Sequence, residues 1–554
     1  MTPNNRVFLP ALTLTLALVV LALSASARAP RFYDDDPLWT EPLTQNVEKP
    51  SRYEPSLMYQ SIINLFAKPG DPVLGQRAKD LNTVDEVPDS PFYVNRAGRM
   101  PLTPEMVARA SNTAGGPADG PWSVVSAKSD GITPGFTIRD RNKDLWFLKF
   151  DPPGWTGMAT GAEVIAAKLF WAVGYHTVEY YIEDLQPTNL TIADDATIEP
   201  PGQPERRLRR DDIDWLLGRA DRSADGSYRI IASKAAPGRP VGRIRFEGTR
   251  PDDPNDLVAA EHRRALRGYR VFAAWINHVD AKGINSIAAL VNERGRQFIR
   301  RYLLDFGSTL GSAAIGPREE WEGFEQLVEP RAEIGKRVGS LGLRIPEWRR
   351  AEFYEGPALG RLPKTHGNWN PDTWQPHITN AAFRHARADD KFWAAHKLTF
   401  VTDDMIAAAI REGKLGDPEA ERILAEVLAA RRARILETYL PAVNPIVNPA
   451  IDGGTLRFVN AAVEAKVAAA PAGYTAEWMM FDNATGTSTP LVTTTGEGPS
   501  LPTPSLPIAR DAFIRVNISA SSAEHQTWAT PVSAYFRRSG EGWKLVGFER
   551  LADK

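Results

Sequence analysis

Two short polar segments stand out in this chain of 554 residues. The first, His278-Val279-Asp280-Ala281-Lys282-Gly283-Ile284-Asn285, directly follows a helical pattern. The second, Asp305-Phe306-Gly307, follows a strand-like stretch at residues 301–304, so the two bracket one apolar hairpin. A carboxylate, an ammonium and an amide just before the first strand of a hairpin, with a second carboxylate just after its second strand, suit chemistry in which the protein orients a hydroxyl and spreads negative charge with little covalent work. Taken alone, Asp-Phe-Gly also reads as a sequence that closes a turn. A third feature lies upstream, where Leu145-Trp146-Phe147-Leu148-Lys149-Phe150 places a lysine within an apolar strand and Glu163 follows 14 residues later on a helix. By themselves these two would be an ordinary surface ion pair, worth about 0–1 kcal/mol.

Taken in order, strand lysine, helix glutamate, His-x-Asp-x-Lys-x-x-Asn loop and Asp-Phe-Gly, the set resembles the protein-kinase superfamily. By that resemblance Lys149 holds the α- and β-phosphates of ATP, and Glu163 holds the lysine. Asp280 accepts or orients the nucleophile's proton, Lys282 steadies the γ-phosphate, and Asn285 and Asp305 supply oxygen ligands to Mg2+ or Mn2+. The turn Ser129-Asp130-Gly131-Ile132-Thr133-Pro134-Gly135-Phe136 stands where the phosphate-covering loop is expected, with Gly131 and Gly135 as its candidates. It lacks the G-x-G-x-x-G pattern, and a plain hairpin is the competing reading. Val279 replaces the usual arginine, no Ala-Pro-Glu follows Gly307, and the two aspartates lie 25 residues apart. The resemblance is therefore to atypical families (HipA-type bacterial kinases, spore-coat and secretory-pathway kinases, phosphoinositide kinases) more than to signalling kinases, and activation-loop phosphorylation is not expected. It covers roughly residues 120–440 and implies an α+β fold with a bilobal kinase-like core.

The elements that must position these groups are legible in outline. Residues 122–127, 136–139 and 145–150 carry the period-two alternation of a half-buried sheet, and a helix runs from near residue 160 to 173, ended by Gly174. Residues 178–182 and 228–232 read as further strands, which makes an antiparallel sheet with one packed helix and argues against a Rossmann-type alternation. From residue 255 to 439 helical periodicity dominates. Leu266, Tyr269, Ala273 and Ile276 share one face of the helix leading into the polar loop, and Arg263, Arg264, Arg267 and Arg270 read as a solvated stripe. Trp369 and Trp374 are expected in the core, and Asp417-Pro418-Glu419 caps a later helix.

The expected division is a signal peptide at 1–27, an extended arm packed on the core at 28–120, an N-lobe of sheet plus helix at 121–250, and a mostly helical C-lobe at 251–440. A Pro- and Gly-rich linker at 441–454 and a small β-sandwich at 455–554 complete it, with a hairpin about residues 539–542. Short helical pieces are expected in the arm at residues 56–66 and 104–110, the latter capped by Thr103.

Composition removes several alternatives. The absence of cysteine excludes disulfides, thiol catalysis and thiolate zinc sites. The eight histidines show no HExxH pair, and neither a GxxxxGK[ST] loop nor a GxSxG elbow occurs. A net charge of −2 from 66 basic and 68 acidic residues gives no field to draw the chain onto nucleic acid, and the run Arg206 to Arg210 is neutralised at once by Asp211 and Asp212. Arg6, an apolar run at 7–23 and Ala25-Ser26-Ala27 read as a secretory signal cut after Ala27, in preference to a retained anchor. The expectation is an exported bacterial protein, periplasmic or extracellular. Its partners would be a nucleotide, a hydroxyl-bearing acceptor and, through the C-terminal domain, a cell-envelope component. The alternative is a non-catalytic envelope-binding or scaffold protein with a degenerate kinase-like core.

Overall fold

The computed structural model describes residues 29–56, 68–113, 115–128, 134–200, 203–328, 335, 339, 345–364 and 369–551. The expected signal peptide, nearly all of the helical piece at 56–66, and Gly131 lie outside the described residues. The fold is α+β. Among the described residues no helix is long and apolar enough to cross a membrane.

Strands β1 (Trp122–Lys128), β2 (Gly135–Arg139), β3 (Leu145–Phe150), β4 (Tyr180–Leu185), β5 (Leu190–Ile198), β6 (Arg206–Arg207) and β7 (Tyr228–Lys234) form one sheet in the order β4-β7-β3-β2-β1-β5-β6. The expected all-antiparallel sheet is corrected at one place, since β5 runs parallel to β1. Nothing local marks that pairing: β5 carries Asp194 and Asp195 at exposed or half-exposed positions and lacks a clean alternation. In β3 the period of two is strict, with Trp146, Leu148 and Phe150 buried at 1% exposure. These side chains share an apolar cluster with Ile213, Leu216 and Leu217 of helix α3 (Arg210–Leu217). Ahead of the sheet, the short helix α1 (Pro104–Arg109) is capped by Thr103, which accepts from the Met106 amide at 3.3 Å. Helix α2 (Met158–Ala172) is buried almost all round and belongs to the larger core, together with Tyr180, Ile182 and Ile231 of the sheet.

The chain then forms the edge strand β8 (Arg239–Pro240), helix α4 (Arg264–Trp275) and the hairpin β9 (Ser286–Glu293) and β10 (Arg296–Leu303). A two-residue turn joins the hairpin, with Arg294 and Gly295 both left-handed at φ 51° and 76°, the geometry that matches strand twist. The arginines expected as a solvated stripe on α4 are corrected: Arg263 and Arg264 are 1% exposed and Arg267 is 0% exposed. They face acids from α5 (Ala388–Thr399) and from the arm. Asp80 of the arm takes the first amides of α4, Arg264 at 2.6 Å and Ala265 at 3.4 Å, and so satisfies donors a helix start leaves free. A hairpin of β11 (Phe353–Gly356) and β12 (Gly360–Pro363) precedes α5. Helices α6 (Asp403–Glu412) and α7 (Pro418–Tyr439) follow, the last capped by Asp417 as its sequence indicated.

The stretch 441–454, read as a linker, contains strand β13 (Ile446–Asp452) paired with β14 (Thr455–Asn460). Its Pro449 sits where the register shifts, and Gly453 and Gly454, left-handed at φ 53° and 78°, make the turn. The proline and glycine signals were real but marked an irregular hairpin. Beyond it, β14 pairs with β17 (Ser500–Pro502), and a five-stranded sheet has the order β16-β15-β18-β19-β20, with β15 Gly473–Phe481, β16 Ser488–Gly496, β18 Phe513–Ser521, β19 Val532–Ser539 and β20 Gly542–Glu549. The large core passes without a break from α2 and α4 through α7 into these sheets.

Candidate functional site

Because the odd-numbered face of β3 points away from the α3 cluster, Lys149 lies on the face opposite Trp146, Leu148 and Phe150. Glu163 is 2% exposed in the second turn of α2. What sets their relation is Asp151, two residues past Lys149. The N-cap of α2, Gly157, has no side chain to offer. Asp151 instead accepts from the Gly157 amide at 2.8 Å, the Thr160 amide at 2.9 Å and the Thr160 hydroxyl at 2.7 Å. The end of the strand is thus tied to the start of the helix, and Lys149 Nζ meets both Glu163 oxygens at 2.9 and 3.0 Å. The same ammonium donates to Asp305 Oδ1 at 2.8 Å, across 156 residues of chain. Burial works against its charge, but Asp305 and Glu163 prevail and hold the ammonium above its ordinary pKa.

Asp305 reaches Lys149 from a left-handed backbone, φ 61°, a conformation that costs a non-glycine residue of order 1 kcal/mol. Its neighbour Phe306, 0% exposed, anchors the turn. The ring stacks on Phe170 of α2 at 5.2 Å and tilts against His278 at 5.7 Å and Tyr180 at 6.3 Å. Burying such a ring contributes roughly 2–3 kcal/mol, enough to hold the strained residue beside it. The column also joins helix, polar loop and turn into one unit, to which the Leu304 amide adds a bond to Asn285 O at 3.3 Å. Burial lowers the His278 imidazole to about 4, so it serves as a neutral packing group.

The second polar group centres on Asp280. Lys282 Nζ lies 2.5 Å from Oδ1, and Asn285 Nδ2 donates to Oδ2 at 2.7 Å and to the Asp280 carbonyl at 2.8 Å. A fourth residue, one the sequence gave no reason to single out, joins them: His377 Nδ1 lies 3.3 Å from Asp280 Oδ1, and its Nε2 lies 2.5 Å from Glu322. Burial pushes the Asp280 carboxyl up, yet the hydrogen bond from His377 and the charge of Lys282 outweigh it and hold the group well below the usual carboxylate range. Nothing in the sequence near Gln375-Pro376-His377 or Trp321-Glu322 signalled this contact, because it joins residues 97 and 55 positions apart.

Seven of the eight candidate residues are therefore described. Lys149, Glu163 and Asp305 meet on one ammonium; Asp280, Lys282 and Asn285 meet on one carboxylate. Gly135 sits opposite Lys149 in the β2–β3 register, where a Cβ would come 2.6 Å from Leu148 O, so close strand packing requires the glycine there. Gly131 lies outside the described residues. Among the described residues no three acidic or imidazole groups gather as a ready metal cluster. The Asp305 carboxylate, at 43% side-chain exposure, and the Asn285 amide oxygen are oxygen donors of the kind Mg2+ takes, one or two from protein with phosphate and water for the rest. A cavity of about 380 Å3 between the arm, α5 and β20, lined by Trp39, Phe392, Trp393 and Phe548, does not include these residues. Comparison of the chain with protein-family models, with curated proteins and with solved structures finds no match.

Proposed function

We propose that this chain is an exported phosphotransferase with a bilobal kinase-like core, moving the γ-phosphoryl group of ATP to a hydroxyl on a protein, lipid or sugar. The observation that carries the reading is the Lys149 ammonium shared by Glu163 and Asp305, with the Asp280, Lys282 and Asn285 group joined to it through Phe306 and His278. A half-exposed carboxylate on a strained residue, sharing its cation with a buried one, suits a group that exchanges partners on ligand binding.

In this reading Lys149 binds the α- and β-phosphates and Glu163 keeps the ammonium in place. Asp280, held ionised, takes the acceptor's hydroxyl proton as that oxygen bonds to phosphorus and the bond from phosphorus to the β–γ bridging oxygen breaks, releasing ADP. Lys282 balances charge on the transferred group. Asn285 and Asp305 would hold Mg2+ or Mn2+, which when bound neutralises phosphate charge. The apolar run after Arg6 supports export, and the C-terminal sheets would meet an envelope component.

Purified protein mixed with labelled ATP, Mg2+ or Mn2+ and a general protein, lipid or sugar acceptor tests the reading. Label transfer by the wild type, reduced at least about 100-fold in Asp305→Ala, is expected. Equal incorporation by both proteins overturns it. No stabilisation of the fold by saturating Mg-ATP would favour the non-catalytic envelope-binding or scaffold alternative.

A further inference from the structure

We infer that His377 and Glu322 form a positioning chain for Asp280, in which an imidazole bridging two carboxylates fixes the orientation of the proton acceptor. The inference rests on the phosphotransfer reading. The Asp280 carboxylate takes Lys282 and His377 on Oδ1 and Asn285 Nδ2 on Oδ2; in turnover Lys282 is needed at phosphate, while Asn285 turns its amide oxygen to the cation and leaves its Nδ2 on Asp280. As Lys282 is drawn away, His377 is the side-chain contact that stays on Oδ1.

The geometry suits this task. Two ionised carboxylates only accept, so a ring between Asp280 and Glu322 must present N–H on both nitrogens. His377 donates through Nδ1 to Asp280 and through Nε2 to Glu322. The ring is itself held on several sides. The His377 amide donates to Val279 O at 2.8 Å within the polar loop, and its carbonyl accepts from the Leu327 amide at 2.9 Å. The Trp321 indole lies 5.7 Å away at 34°. Glu322, 6% exposed, accepts from the Glu319 amide at 2.8 Å and has Arg318 Nη1 at 3.8 Å. The charged groups facing His377 are thus Asp280 and Lys282 from the loop, with Glu322 and Arg318 from the segment after Gly307. Burial lowers the imidazole's affinity for a proton, but its bonds to Asp280 and Glu322 outweigh that and raise its pKa.

The test compares steady-state kinetics of wild type, His377→Ala, His377→Asn and the His377→Ala/Glu322→Gln double variant. His377→Ala is expected to lose up to about 100-fold in kcat, as a misplaced reacting group does, with the KM for ATP unchanged. His377→Asn, whose amide reproduces the Nδ1 donor, should recover about tenfold of that loss. Adding Glu322→Gln to His377→Ala should change nothing further, since Glu322 acts only through the imidazole. A His377→Ala protein with wild-type kcat overturns the chain, as does a loss that His377→Asn fails to restore or one matched by a rise in the KM for ATP. If His377→Ala does not fold, His377→Asn and Glu322→Gln singly decide the matter by the same division between kcat and KM. A wild type that transfers no phosphoryl group overturns the parent reading instead.

Discussion

Two ion clusters in this molecule have opposite surroundings: Arg264 is shared by three carboxylates, Asp85, Asp389 and Asp390, and Lys149 by two, Glu163 and Asp305. In one, Arg264 donates to Asp389 and Asp390 at 3.0 Å each, all three side chains being at most 1% exposed. Its third nitrogen bonds the Asp85 carbonyl at 2.7 Å, and Arg267 shares Asp390 at 3.1 Å. In the other, Lys149 joins a buried Glu163 to Asp305, whose side chain is 43% exposed and whose backbone is left-handed. A guanidinium fork in a dry setting holds one geometry; an ammonium on a flexible stem at the edge of solvent accepts several. The first cluster locks arm, α4 and α5 together. The second, in the proposed reading, trades a carboxylate for a ligand.

The contrast can be broken most forcefully at Arg264. Arg264→Ala takes the shared cation from three buried acids, leaving Asp390 to Arg267 and Asp389 to Arg387, and should cost about 3 kcal/mol, the low end for a broken buried pair, read as a drop in the denaturant midpoint; a loss under about 1 kcal/mol would show that the buried cluster is no staple. Asp305→Gly should behave in the opposite way. It removes a half-exposed carboxylate and relieves the left-handed strain, so stability should hold or rise by up to about 1 kcal/mol while stabilisation by Mg-ATP disappears. A clear loss of stability would mean that Asp305 serves the fold.

The smallest effect is one of pH. The folded His377 pKa lies above that of the unfolded chain, so its bridge contributes fully below about pH 6.5 and fades as pH rises through the folded value. Asp280 has the reverse sign, its contribution being present above about pH 4 and lost as pH falls. The difference in stability between wild type and His377→Gln, followed by thermal melting, should accordingly narrow from about pH 6 to about pH 9, by at most about 1.4 kcal/mol for each tenfold by which folding tightens the imidazole's hold on its proton. A difference independent of pH would mean that the bridge carries no ionic contribution.

How much of this was legible depends on distance along the chain. The Thr103 and Asp417 caps were readable because a cap and its amides lie within three residues. The alternation in β3 separated Lys149 from its apolar neighbours for the same reason, and the hairpin at Ser539 and Gly542 followed from its turn residues. The burial of the α4 arginines was not readable. A polar stripe looks solvated until acids more than 100 residues away reach Arg264 and Arg267. The parallel pairing of β5 and the strand inside 441–454 escaped because proline, glycine and aspartate interrupt their alternation without preventing pairing.

Sequence alone determined the residue types at the candidate site, their order, and the local elements that carry them, since propensity, periodicity and capping act over a few residues. Tertiary structure alone decided that Lys149 shares itself between Glu163 and Asp305, that Asp151 sets the start of α2, and that His377 and Glu322 stand behind Asp280. Those contacts exist because buried charges must find partners once water is excluded, and which partners they find depends on what the packed core brings within reach.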